Sequence, residues 1–428
     1  MIATKRKPIT DLSGYCETLG RHAREAARIL STVSGAQKNG WLMHSASALE
    51  NRVDEILEAN EADIVSASDC GMAPSQMDRL RLTRDRIRTA AVGLQEVARL
   101  ADPIGRILES NIRPNGLQVL KIGVPLGVIF FVYESRPNVT VDAAGLAVKS
   151  GNAIVLRGGS EALHSNAALH RILEESLAEC GLPENCVQLV ATPDREAVGK
   201  LLQMSEAIDL VIPRGGESLI RRVVAEARMP VLKHHQGNCH VYVDRSADLA
   251  MAERIVLNAK CQRPGVCNAA ESLLVHQEIA QAFLPRMGEQ LTQRKVELRG
   301  CEQTRRLVPQ ARPATDEDYF AEFLDLILAV KVVGNLEEAI DHINHYGSKH
   351  TDTIVTNDLS AARAFTAAVD SSAVLVNAST RFNDGYELGL GAEIGISTDK
   401  FHARGPCGVA ELTTYKYVIM GNGQVRGE

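Results

Sequence analysis

Apolar positions in roughly the first hundred residues recur at the spacing of amphipathic helices. In WLMHSASALENRVDEILEAN, Trp41, Leu42, Leu49, Val53, Ile56 and Leu57 fall on one helical face, and a face of that width has to be buried. DRLRLTRDRIRTAAVGLQEVARL continues the pattern until Pro103 and Gly105 in DPIGR break it.

The texture changes at Gly123. Short apolar runs rich in β-branched residues now alternate with helical stretches. GVIFFVY (127–133) reads as a strand, and VDAAGLAVKSG as a helix closed by Gly151. NAIVLRGG is a second strand, and HSNAALHRILEESLAECG a second helix closed by Gly181. VQLVA, DLVIP and VYVD follow as strands of the same block, separated by the helices EAVGKLLQM and ESLIRRVVAEAR. A second block begins near Cys261, with strands SLLVH, DLILAVKVV, TDTIVT and AVLVNAS and helices NLEEAIDHINHYG and SAARAFTAAVD. RRLVPQARPATDEDY (305–319) reads as a loop, and LTTYKYVIMGNGQVRGE has strand-like density. Continuous apolar strands alternating with helices predict an α/β chain with mostly parallel sheets covered on both faces.

Composition narrows the function classes. A chain of 428 residues is long enough for two to three domains at about 150 residues each. The net charge of -6 argues against general nucleic-acid binding, which needs phosphates neutralised by Lys and Arg. The cysteines number 9, an odd count without a C-x-x-C pair, which argues against a disulfide framework and a structural zinc site. A reducing compartment is expected. The start, MIATKRKPIT, has no apolar stretch behind its basic residues, and no later run is long enough to span a bilayer, so the cytoplasm is the expected location and no membrane partner is expected.

Three features carry candidate chemistry. Cys267 lies in CQRPGVCNAAES just before a strand, where Pro264 and Gly265 force an irregular backbone. Rigidly mounted loops of this kind hold reactive groups, and Arg263 offers the positive charge that favours a thiolate. A buried structural thiol is the competing assignment, and local sequence does not separate Cys267 from the remaining cysteines. IVLRGGSE and DLVIPRGGESLI each place a Gly-Gly pair after a strand, where backbone N–H groups at a helix start can hold an anion. An ordinary tight turn explains each pair equally well. GLGAEIG (389–395) is one residue too long for a dinucleotide fingerprint and follows no strand-to-helix turn. His234, His235, His240, His342 and His345 suggest a metal, but adjacent ligands do not chelate one ion and no third ligand stands at useful spacing, so no metal is expected.

Taken together, the segments resemble a known family. GVPLGVIFFVYESRPNVTVDAAGLAVKSGNAIVLRGGSEALHSN resembles the part of the aldehyde dehydrogenases that runs from the oxyanion-hole Asn to the adenosine-binding strand. The IPRGGE turn, the thiol loop and DYFAEFLDLILAVKV follow in that family's order. ESRPNVT, LRGGSE, QRPGVCNA, AVKVV, GSKHTD and FNDGYELGLGAEIGISTDKFHARGPCGVAELTTYKY resemble more narrowly the branch that acts on glutamyl phosphate. The likeness runs from about Leu49 to Val425. It implies two Rossmann-type open-sheet domains plus a small oligomerisation hairpin and strand. Residues 1–108 and 122–258 would bind NADP, 259–400 would carry the thiol, and 109–121 and 405–428 would oligomerise.

The implied activity is NADPH-dependent reduction of L-glutamyl 5-phosphate to L-glutamate 5-semialdehyde and phosphate, the second step from glutamate to proline. By resemblance Cys267 is the nucleophile, with the Asn138 amide and the Cys267 N–H as oxyanion donors. Arg157, Gly158, Ser160 and Glu161 match the adenosine-ribose strand, and Arg157 is the residue expected to meet a 2′-phosphate. Gly215, Gly216 and Ser218 match the pyrophosphate turn, and Glu322 the acid that holds the nicotinamide ribose. Arg136, Arg263, Arg381 and Arg404 are candidates for the substrate carboxylate and phosphate. The resemblance also implies a homo-oligomer, dimer or tetramer, and an association with glutamate 5-kinase. Hydrolytic members keep a Glu before a Gly-Gly pair after the strand that ends the cofactor domain. Here LKHHQGN stands, with no acid from Leu232 to Val243, which suits phosphate rather than water as acceptor. A coenzyme A-acylating enzyme, a silent binding protein of the same fold and a cysteine hydrolase are the alternatives, the last without any Cys–His signature.

Overall fold

The computed structural model describes residues 9–233 and 236–426. The chain divides into two compact units. The first takes in the chain up to Lys233 together with Leu390–Gly395 and the segment from Cys407 onward, and the second begins directly after Lys233, runs to Gly389 and includes Ile396–Pro406.

The first unit opens with helices Leu12–Leu30, Gly35–Asn51, Val53–Asp69, Pro74–Leu80 and Arg84–Arg99. Their starts follow from local chemistry. Asp11 and Thr83 accept first-turn N–H groups, and Ser34 forms a reciprocal capping box with Gln37. Trp41, Leu42, Leu49 and Ile56 of the predicted apolar face are all buried. The Trp41 indole also donates to the carbonyl of Leu173 at 3.2 Å, so its polar edge is satisfied inside the core.

A four-stranded parallel sheet follows, in the order Val187–Leu189, Ala153–Arg157, Val128–Tyr133, Leu210–Arg214. Helices Val139–Lys149, Leu163–Glu179 and Arg195–Leu202 make the crossovers, and Gly151 and Gly181 terminate the first two in left-handed conformations. The chain winds outward from Val128–Tyr133 and then returns to its other side. The topological switch point therefore lies between Val128–Tyr133 and Leu210–Arg214, where loops leave in opposite directions and open a crevice at the carboxyl ends. Strands Ile107–Ile112, Gln118–Pro125 and Thr413–Met420 form a separate antiparallel sheet, with Ile112, Tyr417 and Ile419 exposed.

The second unit is built on a seven-stranded parallel sheet in the order Arg312–Pro313, Glu297–Gly300, Ile327–Val333, Ala270–His276, Cys239–Val243, Thr351–Val355, Ala373–Val376. Cys239–Val243, expected in the first block, pairs here with Ala270–His276 and Thr351–Val355. The divide between units falls after Lys233 rather than at 258/259. Hydrophobic pattern identifies a strand but not its sheet, which is decided by long-range pairing. The expected loop 305–319 also differs. It contains the end of helix Glu302–Leu307, the edge strand Arg312–Pro313 and helix Asp316–Phe320, the last started by a Thr315–Asp318 capping box. Pro313 is tolerated because it sits on a sheet edge.

Gly127 is the joint that admits the central strand of the first sheet. Its φ is 130°, and a Cβ there would lie 2.1 Å from Asp209 Oδ2. That carboxylate accepts the Val128 N–H at 2.7 Å and pairs with Arg24 at 2.7 Å. Gly127→Ala combines backbone strain with displacement of this carboxylate. It should cost about 3 kcal/mol and lower the apparent Tm of thermal unfolding by roughly 5–10 °C. An unchanged Tm would refute the assignment.

Candidate active site

The sequence-predicted residues fall into two groups, one in each unit. In the first unit they gather at the carboxyl ends of the four-stranded sheet. Arg157 ends its strand, and its Nη2 donates to the Pro193 carbonyl at 3.1 Å while Nε is buried without a partner. Burial pushes its guanidinium pKa down, with Glu161 opposing and Arg195 and Arg222 adding to the fall. Gly158 and Gly159 are close-packed positions, since a Cβ would collide with Asn166 Nδ2 at 2.0 Å or with Glu161 Oε1 at 2.1 Å. The Glu161 carboxylate is engaged by Ser135, whose N–H and Oγ donate at 2.7 and 3.0 Å. Ser135 takes a left-handed φ of 52°, a conformation that costs a non-glycine residue energy and recurs at functional sites.

The second glycine turn follows Leu210–Arg214, on the other side of Val128–Tyr133 from the first. Gly216 caps helix Glu217–Glu226 without a side-chain cap of its own. Its N–H is held instead by Glu134 Oε2 at 2.8 Å. Ser218 is exposed beside it. Glu134 was not singled out by sequence. It stands directly after an apolar strand at the switch point, which is the signal that marks it. Arg136 and Asn138 follow on the same turn. Asn138 precedes helix Val139–Lys149, and its amide donates to Asp142 at 3.3 Å. Desolvation lifts Asp142 to about 6, opposed by that hydrogen bond.

In the second unit the residues meet at the amino ends of the strands, opposite to the usual ligand side of an open parallel sheet. Cys267 is half-buried on the loop between helix Leu249–Cys261 and strand Ala270–His276. Its carbonyl accepts the Cys239 thiol at 3.1 Å. Cys239 is fully buried, and burial pushes its own pKa well up, with Asp352 adding to the rise. Gly237 lies so close that a Cβ on it would be 1.9 Å from the Cys267 oxygen. The Gly237 N–H donates to Glu322 Oε1 at 2.8 Å. The structure therefore brings Cys267 and Glu322 into one cluster through a glycine that no sequence motif marks.

Arg381 joins the same cluster. Its Nε donates to Gln262 of the thiol loop at 2.8 Å, and the Asn268 amide, next to Cys267, holds the Asn383 carbonyl at 3.0 Å. Burial lowers the Arg381 pKa, Asp384 opposes, and Arg263 adds repulsion. Arg263 is exposed on the loop. Arg404 is spent elsewhere, on the Asp370 carboxylate at 2.8 Å. GSKHTD places His350 between Cys239 Sγ at 3.7 Å and Thr351 Oγ1 at 2.7 Å, and Asn383 donates to that same Thr351 oxygen at 2.6 Å. This chain of buried polar groups underlies the Cys267 loop.

Residues 16–318 match the model of the aldehyde dehydrogenase family. A gamma-glutamyl phosphate reductase of Rhodopirellula baltica is 57% identical over 97% of this chain and 96% of its own length. A relative of the same name from Moorella thermoacetica is 54% identical, over 96% of this chain and 98% of its own. The crystal structure of the gamma-glutamyl phosphate reductase of Thermotoga maritima superposes with a TM-score of 0.94 at 48% identity, covering 96% of this chain and 100% of that one.

Among the described residues no group of three or more His, Cys, Asp or Glu is placed to hold an ion. His234 and His235 lie outside those residues. His240 pairs with Asp352 at 3.0 Å, fully buried. His342 is buried among His240, Tyr319 and Tyr346, and neither ring nitrogen has a hydrogen-bond partner. Burial first, then the charges of His240, Lys331 and His345, hold its pKa down to about 2. The unfolded chain therefore takes up a proton near pH 6.5 that the folded chain refuses. Stability contributed by His342 is present above that pH and falls as pH drops below it, by up to about 1.4 kcal/mol per pH unit. Replacing His342 with Phe, which fits the aromatic surroundings, should flatten the fall in Tm between about pH 6.5 and 4.5; a variant whose Tm tracks the parent at every pH would contradict this.

Proposed function

The chain belongs to the aldehyde dehydrogenase family, and on that premise we propose that it reduces L-glutamyl 5-phosphate to L-glutamate 5-semialdehyde and phosphate with NADPH. The carrying observation is the setting of Cys267. It is a half-buried thiol tied through Gly237 to Glu322, beside a segment from Leu232 to Val243 that contains no acid to activate water. The names of the highly identical relatives support the choice of substrate.

The Cys267 thiolate attacks the acyl carbon, the tetrahedral oxyanion collapses, and the carbon–oxygen bond to phosphate breaks, leaving a thioester. The Cys267 N–H and the Asn138 amide stabilise the oxyanion, the latter with the amide hydrogen that Asp142 does not take. NADPH, when bound, supplies the hydride that reduces the thioester carbon. Collapse of the resulting oxyanion on carbon releases the aldehyde and returns the thiolate. Arg263, Arg381 and Arg136 are assigned to the substrate carboxylate and phosphate, and Arg404 is the weakest of the four because Asp370 holds it.

The first unit suits the cofactor. Gly158 and Gly159 let their turn pack directly against the Asn166 and Glu161 side chains, Gly216 starts a helix that lacks a side-chain cap, and Arg157 carries a buried N–H without a partner. Arg157 would meet the 2′-phosphate, Ser160 and Glu161 the adenosine ribose, Gly215, Gly216 and Ser218 the pyrophosphate, and Glu322 the nicotinamide ribose. The exposed antiparallel sheet is assigned to contact with a second copy of the chain, which would cover its edge strands.

Oxidation of the aldehyde by NADP tests the mechanism. Without phosphate, rapid mixing should release about one NADPH per Cys267 and then stop, because the acyl group stays on sulfur. Adding phosphate should restart turnover, and Cys267→Ala should show no burst. Sustained turnover in phosphate-free buffer would return the chain to the hydrolytic members, and restart by coenzyme A alone would place it with the acylating ones.

Cofactor choice is tested separately. Arg157→Ala should lower the NADPH:NADH ratio of kcat/KM by about tenfold or more, the value of a charge-assisted contact. An unchanged ratio would move the role to another residue.

A further inference from the structure

Helix Leu249–Cys261 and strand Ala270–His276 are the two feet of the Cys267 loop, and each carries a buried charge. Lys260 stands at the helix end and Glu271 near the strand start, both fully buried, with Nζ 2.5 Å from Oε2. Glu271 falls on the same strand face as Leu273 and Val275, which belong to the apolar core with Ile255, Val256 and Ala259. An acid and a base have thus been set at the rim of a hydrophobic face. A buried ion pair is weak evidence for stability, since apolar residues of similar volume often serve as well or better. Its position suggests a different use.

The second carboxylate oxygen of Glu271 accepts the Leu324 N–H at 3.2 Å. Leu324 is exposed and left-handed, with φ 53°, so this bond restrains a backbone that has little packing of its own. Two residues earlier in the same loop, Glu322 accepts the Gly237 N–H, and Gly237 rests on the Cys267 backbone. The contacts close a ring from Cys267 along its loop to Glu271, across to Leu324, back to Glu322, and through Gly237 to Cys267. Lys260 holds Glu271 in place for both tasks.

We propose that Lys260 and Glu271 are positioning residues that fix the Cys267 loop against the Glu322 loop, through the bond from Glu271 to the Leu324 N–H. The inference rests on the reading of Cys267 as nucleophile and Glu322 as a cofactor contact. It extends that reading to two residues that touch neither substrate nor cofactor. With the loops fixed, the Cys267 backbone and the Glu322 carboxylate keep the register that their shared contact with Gly237 gives them. With them loose, Cys267 and Glu322 both lose that register.

Two double variants separate the bond from the charges. Lys260→Met with Glu271→Gln removes both charges but keeps a carbonyl acceptor for Leu324. Lys260→Met with Glu271→Leu removes the acceptor as well. The readouts are the rate and pH midpoint of Cys267 alkylation by iodoacetamide, followed by peptide mass, NADPH binding by fluorescence, and kcat beside KM. In the Leu variant alkylation should slow by about tenfold with its midpoint moved up, NADPH should bind more weakly, and kcat should fall more than KM rises. The Gln variant should stay within about twofold of the parent. A Leu variant with parental alkylation and NADPH binding, or equal losses in both variants, would overturn the proposal. Should the Leu variant not fold, Glu271→Asp, too short to reach both partners, is read instead. It should show the same losses, and parental behaviour would overturn the proposal. Alkylation and NADPH binding involve no acyl phosphate, so a failed substrate assignment leaves these results standing and is told apart from a failure here.

Discussion

The backbone of Gly237 lies against the backbone of Cys267 with no room for a side chain between them. Most of what is distinctive in the second unit depends on this approach. It places the Gly237 N–H where Glu322 accepts it, and it brings the following residue pair, Asn238 and Cys239, under the thiol loop. Asn238 then donates to the carbonyls of Tyr319 and Tyr346, and Cys239 to that of Cys267. Each of these bonds joins segments far apart in sequence, so the thiol is held by the fold rather than by its own loop.

The polar groups gathered at this end of the sheet would be costly without partners. His350, Thr351 and Asn383 form one linked set, His240 and Asp352 another, and Lys260 and Glu271 a third. A core made only of apolar residues would serve stability as well. A polar network has fewer acceptable arrangements, because moving one member strands another. That restriction is what a nucleophile needs from the residues beneath it, since reaction rate is sensitive to displacements of about an ångström.

In the first unit the constraint is topological. Once the chain reverses its direction of winding around Val128–Tyr133, the turns after that strand and after Leu210–Arg214 become neighbours at one crevice. Glu134 meets Gly216 there, and Ser135 meets Glu161. Glu134 thus already holds the turn proposed for the cofactor pyrophosphate, and Glu161, itself a proposed ribose contact, is engaged by Ser135. Binding an anion at Gly216 requires the Glu134 carboxylate to give up its N–H.

Sequence alone determined the types of most elements, because the periods of helix and strand are local and a buried strand between helices leaves a continuous apolar run. It also marked Cys267, Glu322 and both glycine turns, through motifs whose joint occurrence is specific even though each is weak alone. It could not say that Cys239–Val243 joins the second sheet, since an apolar strand pairs equally well with either. Nor could it show that 305–319 folds into short elements, where capping by Thr315 and an edge position for Pro313 outweigh a loop-like composition. Gly237, Lys260 and Glu271 were invisible as a group for the same reason. A lysine ending one helix and a glutamate beginning the next strand are ordinary residues until packing removes water from both. Only the tertiary structure decides that they face each other, because their pairing, the approach of Gly237 and the capture of Leu324 are set by backbone positions that no local pattern encodes.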